Sequence, residues 1–118
     1  MSHPHADAAA GPLRSELFLD ERDLRLAFSG ELDLAGAPAA RTAMLEGLAY
    51  GQTLWVDLGG LSFIDSAGLG VLVRMAEVNG ADELRFLGPV TPAVGRVLTL
   101  TGLDDVLKIK VAGPVAAL

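Results

Sequence analysis

The spacing of apolar residues switches along this chain between a period that fits a strand and one that fits a helix. In LRLAFSG, residues 24–30, Leu24, Leu26 and Phe28 fall on one face and Gly30 ends the run, the pattern of a half-buried strand. A short strand over Glu16 to Leu19 precedes it, and the polar DERD between the two reads as a hairpin turn. GAPAARTAMLEGLAYG predicts a helix over about residues 38–49: Pro38 suits a first helical turn, Leu45, Leu48 and Ala49 share a face, and Gly51 suits the C-terminal cap. TLWVDL is nearly all apolar, as in a strand inside a sheet covered on both faces. GGLSFID follows as a loop. SAGLGVLVRMAEVNG then puts Leu69, Leu72, Val73 and Ala76 at i, i+3, i+4 and i+7, so a second helix starts at or beside Ser66 and closes on Asn79 and Gly80.

ELRFLG alternates as a third central strand. TPAVGRVLTLTG is a helix with Thr91 as N-cap, Pro92 in the first turn and Gly102 beyond the end, and VLKIKV is a last short strand. TGLDD leaves room for a short fourth helix. Strands alternating with helices predict an α/β fold, a mixed β-sheet of four to five strands packed with three to four α-helices, with no internal repeat or boundary. The expected organisation is one domain over residues 13–112, a disordered N-terminal tail over 1–12 and a short C-terminal tail over 113–118.

Charge and composition narrow the function classes. The 118 residues carry 9 Lys and Arg against 15 Asp and Glu, a net charge of −6, so no basic stripe is present for phosphate-backbone contacts and no nucleic-acid partner is expected. Cysteine is absent, which excludes disulfides and thiolate metal sites. The N-terminal MSHPHADAAAGP lacks the basic and apolar regions of a signal peptide, and no apolar run is long enough for a membrane span, so a cytoplasmic protein with no membrane partner is expected. His3 and His5 form a His-x-His pair in an Ala/Pro/Gly-rich segment with no nearby third ligand, which favours a tail over a metal site. Tyr50 and Trp55 are too separated for a stacking platform, and no cofactor is implied.

The candidate chemistry concentrates in FIDSAGLGVLV, residues 63–73. A nucleophile elbow would need glycine where Ile64 stands and a base to activate Ser66, yet the only histidines lie near the N-terminus. A dinucleotide loop would follow its strand directly, whereas Gly59 to Asp65 intervene before Gly68 and Gly70, and Val73 occupies the third glycine position. No lysine follows the glycines as a phosphate-binding loop requires. Two readings of Ser66 remain on the residues alone. It is a plain helix N-cap, or it is a hydroxyl presented for covalent modification; the two roles can coexist, or Asp65 can take the cap and leave Ser66 free. A phosphate there would sit at the positive end of the helix dipole, an interaction of about 0.3 to 1 kcal/mol.

FIDSAGLGVLV, together with SGELDLAGAP and LTLTGLDDVLKI, resembles the STAS family, specifically its single-domain anti-sigma factor antagonists, over about residues 15–110. The resemblance implies a non-enzymatic partner switch. The unphosphorylated antagonist binds an anti-sigma factor that is also a serine kinase and frees a sigma factor; the kinase then phosphorylates the antagonist, and a Ser/Thr phosphatase reverses this. By position the phosphoacceptor is Ser66, preceded by Asp65, and Asp33 matches an acidic loop that the family places near the same surface. Asp33 is otherwise an ordinary loop acid or a cap for the next helix. Ala67 stands where a second serine often follows, which leaves one acceptor in the motif. The expected partner surface comprises Asp33, Asp65, Ser66, Gly68, Leu69, Gly70, Val71 and Met75. Val71 and Met75 are included because both lie off the helix stripe centred on Leu69, Leu72, Val73 and Ala76; cover by a neighbouring helix is the competing account. The alternative function is a STAS scaffold or adaptor subunit of a signalling or lipid-transport assembly, with a structural serine. Asp57, at the end of an apolar strand, is expected to bind a neighbouring loop rather than to catalyse.

Overall fold

The computed structural model describes residues 10–19 and 23–111. Along the chain run β1 (Arg14–Leu19), β2 (Leu24–Leu32), α1 (Ala37–Leu48), β3 (Leu54–Ile64), α2 (Ser66–Val78), β4 (Leu84–Gly88), α3 (Pro92–Thr101), α4 (Asp104–Leu107) and β5 (Lys110–Val111). The strands form one five-stranded sheet in the order β1-β2-β3-β4-β5. β1 pairs antiparallel with β2, and every later pairing is parallel, so each later connection must cross back along the sheet and does so through helix. This is the expected mixed α/β fold. His3, His5, the DERD turn and the C-terminal tail fall wholly or largely outside the described residues. Gly11 and Pro12, assigned to the tail, are part of the fold: the Gly11 carbonyl accepts from the Glu31 N–H, and Pro12 bridges to Glu31.

The predicted helix ends hold where local chemistry fixes them. In α3, Thr91 accepts from the Val94 N–H, Pro92 lies in the first turn, and Gly102 closes the helix with φ 73°. Two departures have tertiary causes. GGLSFID, expected as a loop, continues β3 out to Ile64. A bulged register keeps it paired with β2, with Ser29 opposite Gly60, Glu31 opposite Phe63 and Leu32 opposite Ile64. Glycine is required at this crossing, since a methyl group on Gly60 would lie 2.6 Å from the Phe28 carbonyl oxygen. VLKIKV, expected as one strand, is divided between the end of α4 and the two residues of β5.

Burial along β2 alternates: Leu24, Leu26, Phe28 and Leu32 are in the core, while Arg25, Ser29 and Glu31 are half-buried. The second face is therefore only partly covered: in TLWVDL, whose apolar run suggested cover on both sides, Trp55 is half-buried while Asp57 on the same face is buried. A cross-strand row runs Phe18, Arg25, Trp55, Arg85 through the register of four strands. The Arg25 guanidinium lies 4.3 Å over the Phe18 ring and that of Arg85 5.3 Å over Trp55, so two cations cover the aromatic surface. Asp57 is buried beside this row. It accepts from Arg25 Nη1 of β2 at 2.9 Å and from the Gly59 N–H of its own strand at 2.9 Å, so these partners are strand residues and not the neighbouring loop expected.

Among the described residues no helix is long and apolar enough to cross a membrane, and no cluster of three His, Cys, Asp or Glu could hold a metal.

Candidate functional site

The site forms where the C-terminal ends of β2 and β3 lie side by side and each chain turns into a helix. Asp65 has extended backbone geometry and caps α2, its Oδ1 accepting from the Gly68 N–H at 3.0 Å. Its Oδ2 accepts from the Leu34 N–H at 3.2 Å, and its own N–H donates to the Leu32 carbonyl at 3.2 Å. A single acid thus closes a helix end and ties it to the loop after β2. In that loop Asp33 Oδ1 accepts from the Gly36 N–H at 2.9 Å, and its carbonyl accepts from the Ala37 N–H at 2.8 Å, which sets the entry into α1. Asp33 is therefore both a local turn acid and a neighbour of the Asp65 surface.

With Asp65 as cap, Ser66 is the first residue of α2 and is exposed. Its hydroxyl makes no hydrogen bond among the described residues. By contrast, Ser62 is half-buried in β3 and donates to the Gly30 carbonyl at 3.2 Å. The two readings of Ser66 separate here: the capping role belongs to its neighbour.

The expected partner surface needs correction along α2. Asp33, Asp65 and Gly70 are half-buried and Ser66 is open, but Gly68 and Leu69 are buried, as are Val71 at 9% and Met75 at 6% exposure. The cause is that α2 packs against α1 and α4 as well as against β3 and β4, so its buried arc is wider than a stripe facing one neighbour. Gly68 is at the tightest point: a methyl group there would lie 2.4 Å from the Leu32 carbonyl oxygen. Arg74, Glu77 and Val78 complete the exposed side of the helix.

Two accessible apolar residues at this end were missed from sequence. Leu34, whose N–H is held by Asp65, is 75% exposed, and Phe63, near the end of β3, is 46% exposed. No period places a leucine in a loop. Phe63 carried a signal only if GGLSFID is read as strand, where it falls on the opposite face from Ile64. A pocket of about 380 Å³ lies at the other end of α2, lined by Ala76, Asn79, Leu84, Phe86 and Leu107 among others, away from Ser66.

A family model described as Mlab, STAS domain, matches residues 17–110. The anti-sigma-B factor antagonist of Bacillus subtilis (strain 168) is 31% identical over 93 residues, 76% of this chain and 84% of that protein. Among solved structures, an anti-sigma factor antagonist from Mycobacterium paratuberculosis aligns with a TM-score of 0.75 at 26% identity, covering 86% of this chain and 90% of the other. The Bacillus cell fate determinant SpoIIAA in its phosphorylated form aligns with a TM-score of 0.59 at 25% identity, covering 88% and 96%. These relatives are named as anti-sigma factor antagonists and, in one case, as a cell fate determinant. With most of its length matched by the family model and its fold shared with these structures, this chain belongs to the STAS domain family.

Proposed function

We propose that this protein is a non-enzymatic anti-sigma factor antagonist: its unphosphorylated form binds an anti-sigma factor serine kinase and thereby releases a sigma factor, and phosphorylation of Ser66 breaks that complex. The observation that carries the reading is the division of roles at the start of α2, where Asp65 supplies the cap and leaves the Ser66 hydroxyl exposed and uncommitted. In the transfer, Ser66 Oγ bonds to the γ-phosphorus of ATP as the bond to the β–γ bridging oxygen breaks. ADP leaves, and the hydroxyl proton passes to a base on the kinase. A Ser/Thr phosphatase restores the hydroxyl by hydrolysis. The docking surface in this reading is Ser66 with Asp33, Asp65 and Gly70, extended by Leu34 and Phe63 in place of Val71 and Met75.

The switch is electrostatic and local. A phosphoryl group adds about −1.5 to −2 charges beside Asp65, on a chain of net charge −6. In solution that charge remains hydrated, while in an interface it is desolvated against a surface that had met a neutral hydroxyl, a cost of about 2 to 5 kcal/mol. A loss of about 3 to 4 kcal/mol weakens binding a few hundredfold. Titrating the anti-sigma kinase with unmodified protein, phosphoprotein, Ser66→Ala and Ser66→Asp tests this. Ser66→Ala should bind constitutively, the phosphoprotein a few hundredfold more weakly, and Ser66→Asp in between. Equal affinity for the unmodified and phosphorylated forms would reject the switch in favour of a scaffold role.

A further inference from the structure

We infer that Arg74 holds the phosphoryl group of phosphorylated Ser66 by reaching back along α2 over Gly70, so that the modified state carries its own counter-cation. The inference rests on the phosphorylation of Ser66 proposed above and adds the residue that receives the charge.

Ser66, Gly70 and Arg74 are spaced i, i+4, i+8 and form one slanting row on the helix surface, each step turning about 40° and rising about 6 Å. Side chains on a helix lean toward its N-terminus, which sends a long residue at 74 over position 70 and toward 66. The structure shows this lean: a methyl group placed on Gly70 would lie 3.4 Å from Arg74 Nη2. The guanidinium therefore already rests one turn from Ser66, above a residue with no side chain to obstruct it. It makes no hydrogen bond or ion pair among the described residues and is exposed, so it is available.

Arg74 is the sole base in α2. The nearest acids, Asp65 and Asp33, spend their carboxylates on the backbone N–H groups of Gly68, Leu34 and Gly36, and both would repel a phosphate. Arg25 is paired with Asp57. A phosphoserine extends further than a serine by the length of a phosphate ester, and the planar guanidinium can meet two of its oxygens at once, which an ammonium cannot. Held in this way, the phosphoryl group lies along the helix with part of its charge neutralised within the domain. The unmodified hydroxyl has no comparable attraction for Arg74, so the contact is specific to the phosphorylated state.

The test uses the full chain with phosphoserine encoded at position 66, which removes any dependence on a kinase or a binding partner. Phosphorus NMR across a pH titration reads the second ionisation of the phosphoserine. A nearby guanidinium favours the dianion and lowers that pKa, so Arg74→Gln should raise it by about half a unit relative to the unsubstituted phosphoprotein, less so in high salt. Lys108→Gln and Lys110→Gln, which remove the same charge beside the pocket at the other end of α2, should leave it within about 0.1 unit, because exposed charges beyond a Debye length are screened. Arg74→Lys should recover only part of the shift. The Arg74 side-chain Nε–H resonance should move on phosphorylation. An unchanged pKa in Arg74→Gln, or an equal change in Lys108→Gln or Lys110→Gln, overturns the inference. Neither result bears on whether phosphorylation of Ser66 breaks the kinase complex, which the kinase titration decides.

Discussion

The Asp65 carboxylate bridges two backbone amides that belong to different parts of the chain, Gly68 N–H at 3.0 Å and Leu34 N–H at 3.2 Å. Asp65→Ala should cost about 1 to 2 kcal/mol in chemical denaturation, the range for a lost helix cap with a second amide released. Asp65→Asn, whose amide group can accept at one oxygen only, should lose less. Hydrogen exchange should accelerate at both Leu34 and Gly68 in Asp65→Ala. Faster exchange at Gly68 alone would show that the bond to Leu34 contributes nothing in solution.

Val71 and Val78 lie about two helical turns apart on α2 and should respond differently to the same change. Val71→Glu places a carboxylate in the core and should lower stability by about 3 kcal/mol or more, and Met75→Glu should do likewise. Val78, 81% exposed, should accept Glu within about 0.5 kcal/mol. Thermal melts of the three variants check the burial of α2 against α1 and α4.

Leu34→Ser and Phe63→Ser remove exposed apolar area and should leave the melting temperature nearly unchanged while weakening binding to the anti-sigma kinase at least tenfold, about 1.4 kcal/mol. Undiminished affinity in the double variant would exclude this patch from the docking surface.

The two glycines of the SAGLG run should also diverge. Gly68→Ala forces a methyl group to 2.4 Å from the Leu32 carbonyl oxygen, so the backbone must shift, and the variant should be destabilised by several kcal/mol or fail to accumulate folded. Gly70→Ala meets only the mobile end of Arg74 and should stabilise the domain by about 0.5 to 1 kcal/mol through helix propensity. Urea denaturation of Gly70→Ala decides the sign.

Arg25→Ala removes both the 2.9 Å bond to buried Asp57 and the cover over Phe18. A loss of about 1 to 3 kcal/mol is expected, since one carboxylate oxygen of Asp57 keeps the Gly59 N–H. Arg25→Lys should recover part of it, because an ammonium keeps the charge but not the flat stacking surface.

Wherever a structure depends on a few consecutive residues, the sequence determined it. The caps of α3, the alternation of β2, the helical spacing after Ser66 and the order of strands and helices follow from period and cap chemistry, which act within a turn or a strand length. That Ser66 and its acidic neighbour begin α2 was legible for the same reason, while the acceptor role proposed for Ser66 came from the family resemblance. What remained open required knowing which distant segments touch. The choice between Asp65 and Ser66 as cap was settled by a carboxylate that also reaches Leu34, 31 residues away in the chain. GGLSFID became strand because β2 was there to pair with it through a bulge, which no local pattern encodes. Val71 and Met75 proved to be core because α2 is enclosed on more than one side, and a helical period reports only the stripe that is apolar, not how many neighbours arrive to bury its flanks. Leu34 and Phe63 became the open apolar surface beside Ser66 through the same tertiary assembly, which covered some apolar residues and left these two uncovered.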